Sequence, residues 1–325
     1  MRPQPLLSAN IYCAQALDAL IAEVITPFSR QVCAEGSYLW LIRHSRGGEH
    51  LKVRLHAPPA IQDQARRLLE EQVRSFFAAL PANESAAVPG QEQLAVIDPE
   101  DAVDSPYPDR SLLWTTYQAS PVTFGAPILL EDAEFQALFT RALGAGCRIA
   151  LDLFAPAASE GAVPIGKRQS LVFKLVVLTW RALPAAAIDR AGYLDYHRDW
   201  LVRWMLAHSD PATTTRESVL DLFDRKAATM EASVGVLASA LAQEDDDGEA
   251  EGPNAEYQRA IRDYFRQVQG FRGDPAYRLD PYTEDAAFLP LFKVLHNLAN
   301  AIGLGIRHEA FTYHLLSRAA HREPK

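Results

Sequence analysis

The sequence predicts an α+β fold, with a largely antiparallel sheet and covering helices in the first half and a mainly helical second half. Three observations carry that expectation. Apolar residues recur at helical spacing through 14–34 and 60–80, two β-rich runs flank a glycine pair between Tyr38 and His56, and from about residue 130 long helical patterns take over. The resulting order of strand, helix, hairpin and helix suits a layer in which helices cover one face of an antiparallel sheet.

Each element has its own signal. SANIYC reads as a short strand, and Leu17, Leu20, Ile21, Val24, Ile25 and Phe28 line one side of the helix after it. In YLWLIRHSRGGEHLKVRLH the glycine pair at 47 and 48 can supply the positive φ angles that a hairpin connection demands. Ala65, Leu68, Leu69, Val73, Phe76 and Leu80 mark the next helix, and Pro81 to Pro89 reads as a loop. Prolines from Pro106 to Pro127 punctuate a short β-rich piece, predicting a strand and an exposed loop. Helical patterns then cover 132–143, 171–183, 194–207, 218–241, 257–268 and 288–320. Gly166-Lys167-Arg168-Gln169-Ser170 lacks the upstream glycine of a phosphate loop and reads as a helix start with a basic first turn. The acidic block 243–254, QEDDDGEAEGPN, repels itself and has little to bury, which predicts a mobile surface loop.

Composition narrows the class. With 325 residues, 48% of them hydrophobic, the chain buries an ordinary core as one large domain or two intimate ones, a mixed part over 1–130 and a mainly helical part over 131–325. A formal charge of -9 argues against nucleic acid as a partner, because that affinity rests on clustered Lys and Arg. Cys13, Cys33 and Cys147 are odd in number and widely spaced, which suits a reducing compartment and suggests neither a disulfide framework nor a metal site. There is no signal-peptide pattern, and no run approaches the roughly 18 apolar residues that span a bilayer. The expectation is a cytoplasmic protein without membrane contact, metal or cofactor.

No GxxxxGK[ST], GxGxxG, HExxH or GxSxG string is present, which leaves nucleotide, zinc-peptidase and serine-hydrolase readings without support. The densest polar chemistry is the hairpin, with Arg43, His44, Arg46, His50, Lys52, Arg54 and His56. Strand alternation puts His50, Lys52, Arg54 and His56 on one face and Leu51, Val53 and Leu55 on the other. Such a face can grip the carboxylates or carbonyls of a peptide, or it can be the solvated outer side of a sheet. His296, on the helix FLPLFKVLHNLANAIGLGI, has Phe292, Leu295, Ala299 and Asn300 at helical spacing. A buried neutral histidine there suits a general base, though many such residues are merely packed. Tyr107, Asp109 and Tyr117 lie in the proline-bounded segment, where loop residues can line a site or simply make turns.

IRHSRGGEHLKVRL resembles the hairpin near the start of the elimination domains of lantibiotic dehydratases, and its Arg-His and basic, glycine-containing turn are similar to those of thiopeptide pyridine synthases. PYPDRSLLWTTY with the later FGAP, RIALDLF, and FKVLHNLANAIGLGI resemble further family stretches in the same order, so the likeness spans most of the chain. Eliminating members carry an Arg-x-Arg pair, an arginine before Tyr-Gly-Gly, and a late histidine; here these are Lys52 with Arg54, Thr123 before Phe124-Gly125-Ala126, and His296. Lysine cannot reproduce the bidentate grip on a carboxylate leaving group, which weakens glutamate elimination as the activity. The resemblance therefore implies a pyridine-forming enzyme acting on a leader-bearing precursor peptide alongside other enzymes of its pathway. On that reading Arg43, His44, His50, Lys52, Arg54 and Asp109 bind substrate, and Tyr117 and His296 transfer protons. Glutamate elimination and a noncatalytic peptide-binding scaffold are the alternatives.

Overall fold

The computed structural model describes residues 6–33, 37–44, 48–81, 107–115, 132–155, 162–211, 213–242, 251–270 and 285–322. The chain divides into two compact units: Met1–Pro164 with Asn300–Ile302, and Ile165–Ala299 with Gly303–Lys325. The division falls later than the change of composition near residue 130, because the helix Ala133–Leu151 packs on the sheet and belongs with it.

In the first unit β1 (Leu6–Tyr12) is followed by α1 (Leu17–Leu20), a π-helical stretch (Ile21–Ile25) and α2 (Thr26–Val32), which run on without a break. Pro27 has no N–H to close the preceding turn in the usual register, and the Thr26 hydroxyl donates to the Ile21 carbonyl at 2.8 Å across the widened turn. The hairpin β2 (Tyr38–His44) and β3 (His50–His56), helix α3 (Pro59–Ala79), β4 (Ser111–Thr115) and α4 (Ala133–Leu151) follow. Gly48 takes the positive φ (116°) expected of the hairpin connection, whereas Gly47 and all but Pro81 of the loop expected over Pro81 to Pro89 lie outside the described residues.

The four strands form one antiparallel sheet in the order β2-β3-β1-β4. Its register puts Leu39, Leu41, Leu51, Val53, Leu55, Ala9 and Ile11 on one face, all buried. Helix α3 covers that face: Trp114 of β4, level with Ala9, donates from Nε1 to Glu70 of α3 at 2.7 Å, with Arg66 stacked 4.5 Å from its ring. Helix α4 lies so close to β2 that a Cβ on Gly144 would sit 2.6 Å from the Tyr38 Cβ. Gly144→Ala is therefore expected to cost roughly 1–3 kcal/mol through overpacking, read as a lower thermal midpoint; an unchanged midpoint would show that α4 can shift freely.

The second unit is helical: α5 (Ile165–Ala182), α6 (Arg190–Ala207), α7 (Arg216–Ala228), α8 (Glu231–Ala242), α9 (Pro253–Gly270), α10 (Phe288–Ala301) and α11 (Ile306–Ala320). The basic segment at 166–170 does open a helix, α5. The pattern over 218–241 predicts one helix, and the structure has two. The Thr229 hydroxyl donates to the Lys226 carbonyl at 2.7 Å, competing with the backbone ladder at the point where α7 stops. Likewise 288–320 is broken at Gly303 (φ 71°), where the Leu304 N–H closes on the Ala299 carbonyl and α11 starts anew. Most of the expected acidic loop, residues 243–250, lies outside the described residues, and Pro253 and Asn254 at its end belong to α9. Helix α11 packs chiefly against α6, and Trp180, Tyr193, Tyr257 and Tyr313 are fully buried in this unit.

Candidate functional site

The hairpin face can be traced residue by residue. Trp40 and Ser8 flank Arg54, Ile42 and Asn10 flank Lys52, and His44 and Tyr12 flank His50, so all share the side opposite the leucines. His50, Lys52 and Arg54 are each no more than 1% exposed, which overturns the reading of this face as a solvated outer surface. Alternation groups them as expected, but a pattern of charge cannot say what covers a sheet. Arg54 donates to the Ala9 carbonyl at 3.1 Å and to Asn10 at 3.3 Å. The rings of Tyr12, His44, His50 and Tyr107 gather at the hairpin end, with Tyr12 4.5 Å from His50 and 5.0 Å from Tyr107. Burial pushes the His50 pKa down to about 3, reinforced by the charges of His44, Lys52 and Arg54 against the pull of its 2.8 Å hydrogen bond to the Gly48 carbonyl.

Arg43 does not share that face. It pairs with Leu51 in the register, and its guanidinium meets Asp18 at 2.6 Å and the Ala301 carbonyl at 3.1 Å, while its backbone N–H donates to Asn300 at 2.7 Å. Asp109 is exposed and accepts from the Ala14 N–H at 2.9 Å, tying the segment before β4 to the end of β1. Tyr117, Thr123 and 124–126 lie outside the described residues.

In the second unit His296 sits at the end of a buried polar chain. Its Nδ1 lies 2.9 and 3.1 Å from the two oxygens of Glu309, a carboxylate whose side chain is 1% exposed. On the far side the same carboxylate takes His197 Nε2 at 3.0 Å, and His197 Nδ1 meets the Tyr193 hydroxyl at 3.0 Å. The His296 side chain is 29% exposed, and its Nε2 makes no hydrogen bond to any described residue. Phe292 stacks on the His296 ring at 5.2 Å and Tyr313 on the His197 ring at 3.4 Å. The apolar neighbours read from the sequence are there, but the packed, isolated histidine that they suggested is bound to a buried carboxylate.

The electrostatics follow from burial. Desolvation lowers the His197 pKa to about 4, against the opposing pull of Glu309. Burial works to raise the Glu309 carboxyl, but the His296 imidazole and the hydrogen bonds from both histidines outweigh it and hold the group below the usual carboxylate range. Both shifts have one consequence for stability. The neutral His197 contributes stability that is fully present above its ordinary value of 6.5 and is lost as pH falls toward about 4. Ionised Glu309 and neutral His50 act in the same direction. The urea midpoint is expected to fall markedly between pH 7 and pH 4.5; a midpoint constant over that range would contradict the assignment.

Glu309, His197 and Tyr193 were missed in the sequence. The available signals were slight: Tyr193 and His197 share one side of a helix at i,i+4, and Glu309 is an acid in the first turn of a helix that becomes apolar beyond it. Among the described residues no cluster of His, Cys, Asp and Glu could hold a metal ion, and no helix is long and apolar enough to cross a membrane.

The family model for the C-terminal part of the lantibiotic biosynthesis dehydratases matches residues 7–320. Among solved structures, the pyridine synthase TbtD from thiomuracin biosynthesis superposes with a TM-score of 0.66 at 20% identity, covering 98% of each chain. The tRNA-dependent lantibiotic dehydratase MibB from Microbispora sp. 107891 superposes with a TM-score of 0.54 at 12% identity over 98% of this chain and 28% of that one. At these identities the two likenesses are of fold. A comparison with curated proteins returns no match.

Proposed function

The chain belongs to the family of the lantibiotic dehydratase C-terminal part, and from that premise we propose that it tailors a ribosomally made precursor peptide by closing a pyridine ring. In this reaction the amide joined to one dehydroalanine, as its iminol, makes a four-atom azadiene, and the double bond of a second dehydroalanine adds across it. Two carbon–carbon bonds form, water leaves from the former iminol carbon, and the leader peptide leaves as its amide, so the ring becomes aromatic without an oxidant. What the protein must supply is orientation of the two dehydroalanines and transfer of protons to and from the amide and the departing groups.

The observation that carries this reading is His296. Glu309 occupies its Nδ1, leaving Nε2 as the nitrogen able to exchange a proton with a bound peptide. Tyr117 is proposed as a second proton-transfer group, and His44, His50, Lys52, Arg54, Arg43 and Asp109 as substrate-binding. Arg43, turned to the other face and tied to Asp18, would act by holding the hairpin rather than by contact. The fold shared with a pyridine synthase over nearly the whole of both chains supports the same reading. A second reading, glutamate elimination, draws on Arg54 and His296 as counterparts of the eliminating residues, but Lys52 gives it one guanidinium fewer for the carboxylate. Mass spectrometry of a precursor carrying two dehydroalanines, with and without the protein, separates them. A leader-sized amide with a dehydrated macrocycle supports ring closure, loss of glutamate from a glutamylated precursor supports elimination, and binding without a mass change supports a scaffold.

A further inference from the structure

We propose that Glu309, backed by His197 and Tyr193, is a positioning residue that fixes His296 in one ring orientation and one tautomer, with Nδ1–H turned into the protein and the Nε2 lone pair outward. The inference rests on the reading of His296 as the proton-transfer group and adds the device that sets its direction. The geometry points to it from both ends of the chain. At the inner end Tyr193 is fully buried, and burial raises its pKa well above the ordinary tyrosine value, so the hydroxyl keeps its proton and donates. His197 is neutral, so it accepts that hydrogen at Nδ1 and must carry its own proton on Nε2, which it donates to Glu309 Oε1. Glu309 is an ionised carboxylate and can only accept, so the His296 nitrogen facing it must be the protonated one. Each proton position thus follows from its neighbour, and the last one fixes His296.

Rotation is blocked as well. Turning the His296 ring over would put a C–H against the carboxylate and cost two contacts of 2.9 and 3.1 Å, while Phe292, stacked at an interplanar angle of 12°, confines the ring to its plane. Stability alone gives no reason for this arrangement. Glu309 is 1% exposed, and buried charges are often no better for stability than the apolar residues that could replace them. The neutral side chain of free histidine in water favours the opposite tautomer, with the proton on Nε2, which would present an N–H and not a lone pair to the substrate. A histidine oriented by a carboxylate is the recurring way of setting that choice.

The test uses the full chain with ring nitrogens labelled, and reads two things. By nitrogen NMR at a pH where the His296 ring is neutral, the wild type is expected to show the Nδ1–H tautomer and Glu309→Leu to revert to mainly Nε2–H. Glu309→Gln keeps an acceptor oxygen of the same size and is expected to retain the Nδ1–H signature in part. In leader-release assays Glu309→Leu is expected to lower kcat by roughly a hundredfold with KM little changed, and Glu309→Gln to restore part of it. An identical His296 tautomer in wild type and Glu309→Leu overturns the inference, as does full kcat in Glu309→Leu when His296→Gln is inactive. Should His296→Gln itself be fully active, the reading of His296 fails by that result alone, and the tautomer shift still reports whether Glu309 sets the ring.

Discussion

His296→Gln is expected to reduce ring closure by roughly 10²–10⁴-fold, the usual contribution of a positioned general acid or base, with little loss of thermal stability. Glutamine can still donate an N–H to Glu309, so the buried carboxylate keeps its partner, but it has no second ring nitrogen through which a proton could pass. His296→Ala removes both. It should be as inactive, and it should also be less stable by roughly 1–3 kcal/mol, because a fully buried carboxylate loses a hydrogen-bond donor. Comparing the two variants by steady-state rate and thermal midpoint separates chemistry from support. Equal rates for wild type and His296→Gln would remove this histidine from the mechanism.

The second large effect lies on the other face of the hairpin. Asp18 accepts from Arg43 at 2.6 Å and from the Val163 N–H at 2.8 Å, with both side chains largely buried. Asp18→Ala removes the buried carboxylate to which both the Arg43 guanidinium and the Val163 N–H donate, for which a loss of roughly 3–5 kcal/mol is expected in urea unfolding. Asp18→Asn, which keeps one of the two acceptor oxygens and replaces the other by an amide nitrogen, should lose less. If Asp18→Ala unfolds at the wild-type midpoint, Arg43 is not the tether that its geometry describes, and a direct role for it in substrate binding becomes the better account.

Periodicity carried most of the architecture. The alternation of HLKVRLH gave the strand and the grouping of His50, Lys52 and Arg54 on one face, because successive side chains on a strand point to opposite sides. It did not give their burial, which depends on what packs over the face. The same limit explains Arg43: one residue of offset in the strand turned it away from the residues with which it had been grouped. His296 stood out as a polar residue on an apolar helix, and its surroundings confirm the apolar helix. Its partner did not stand out, because Glu309 lies on a different helix, 13 residues away across a turn, and only the fold-back at Gly303 brings them together. His197 comes from a third helix, and a relay of this kind leaves no spacing in the sequence to find.

The most direct measurement of the central claim is intact-mass spectrometry of a precursor peptide with two dehydroalanines, incubated in parallel with the wild-type protein and with His296→Gln. Ring closure predicts that the wild type releases the leader as its amide and leaves a macrocycle lighter by that amide and one water, while the variant leaves the peptide unchanged over the same time. A wild-type protein that leaves this peptide intact, yet strips glutamate from a glutamylated precursor, would contradict ring closure and assign the chain to elimination.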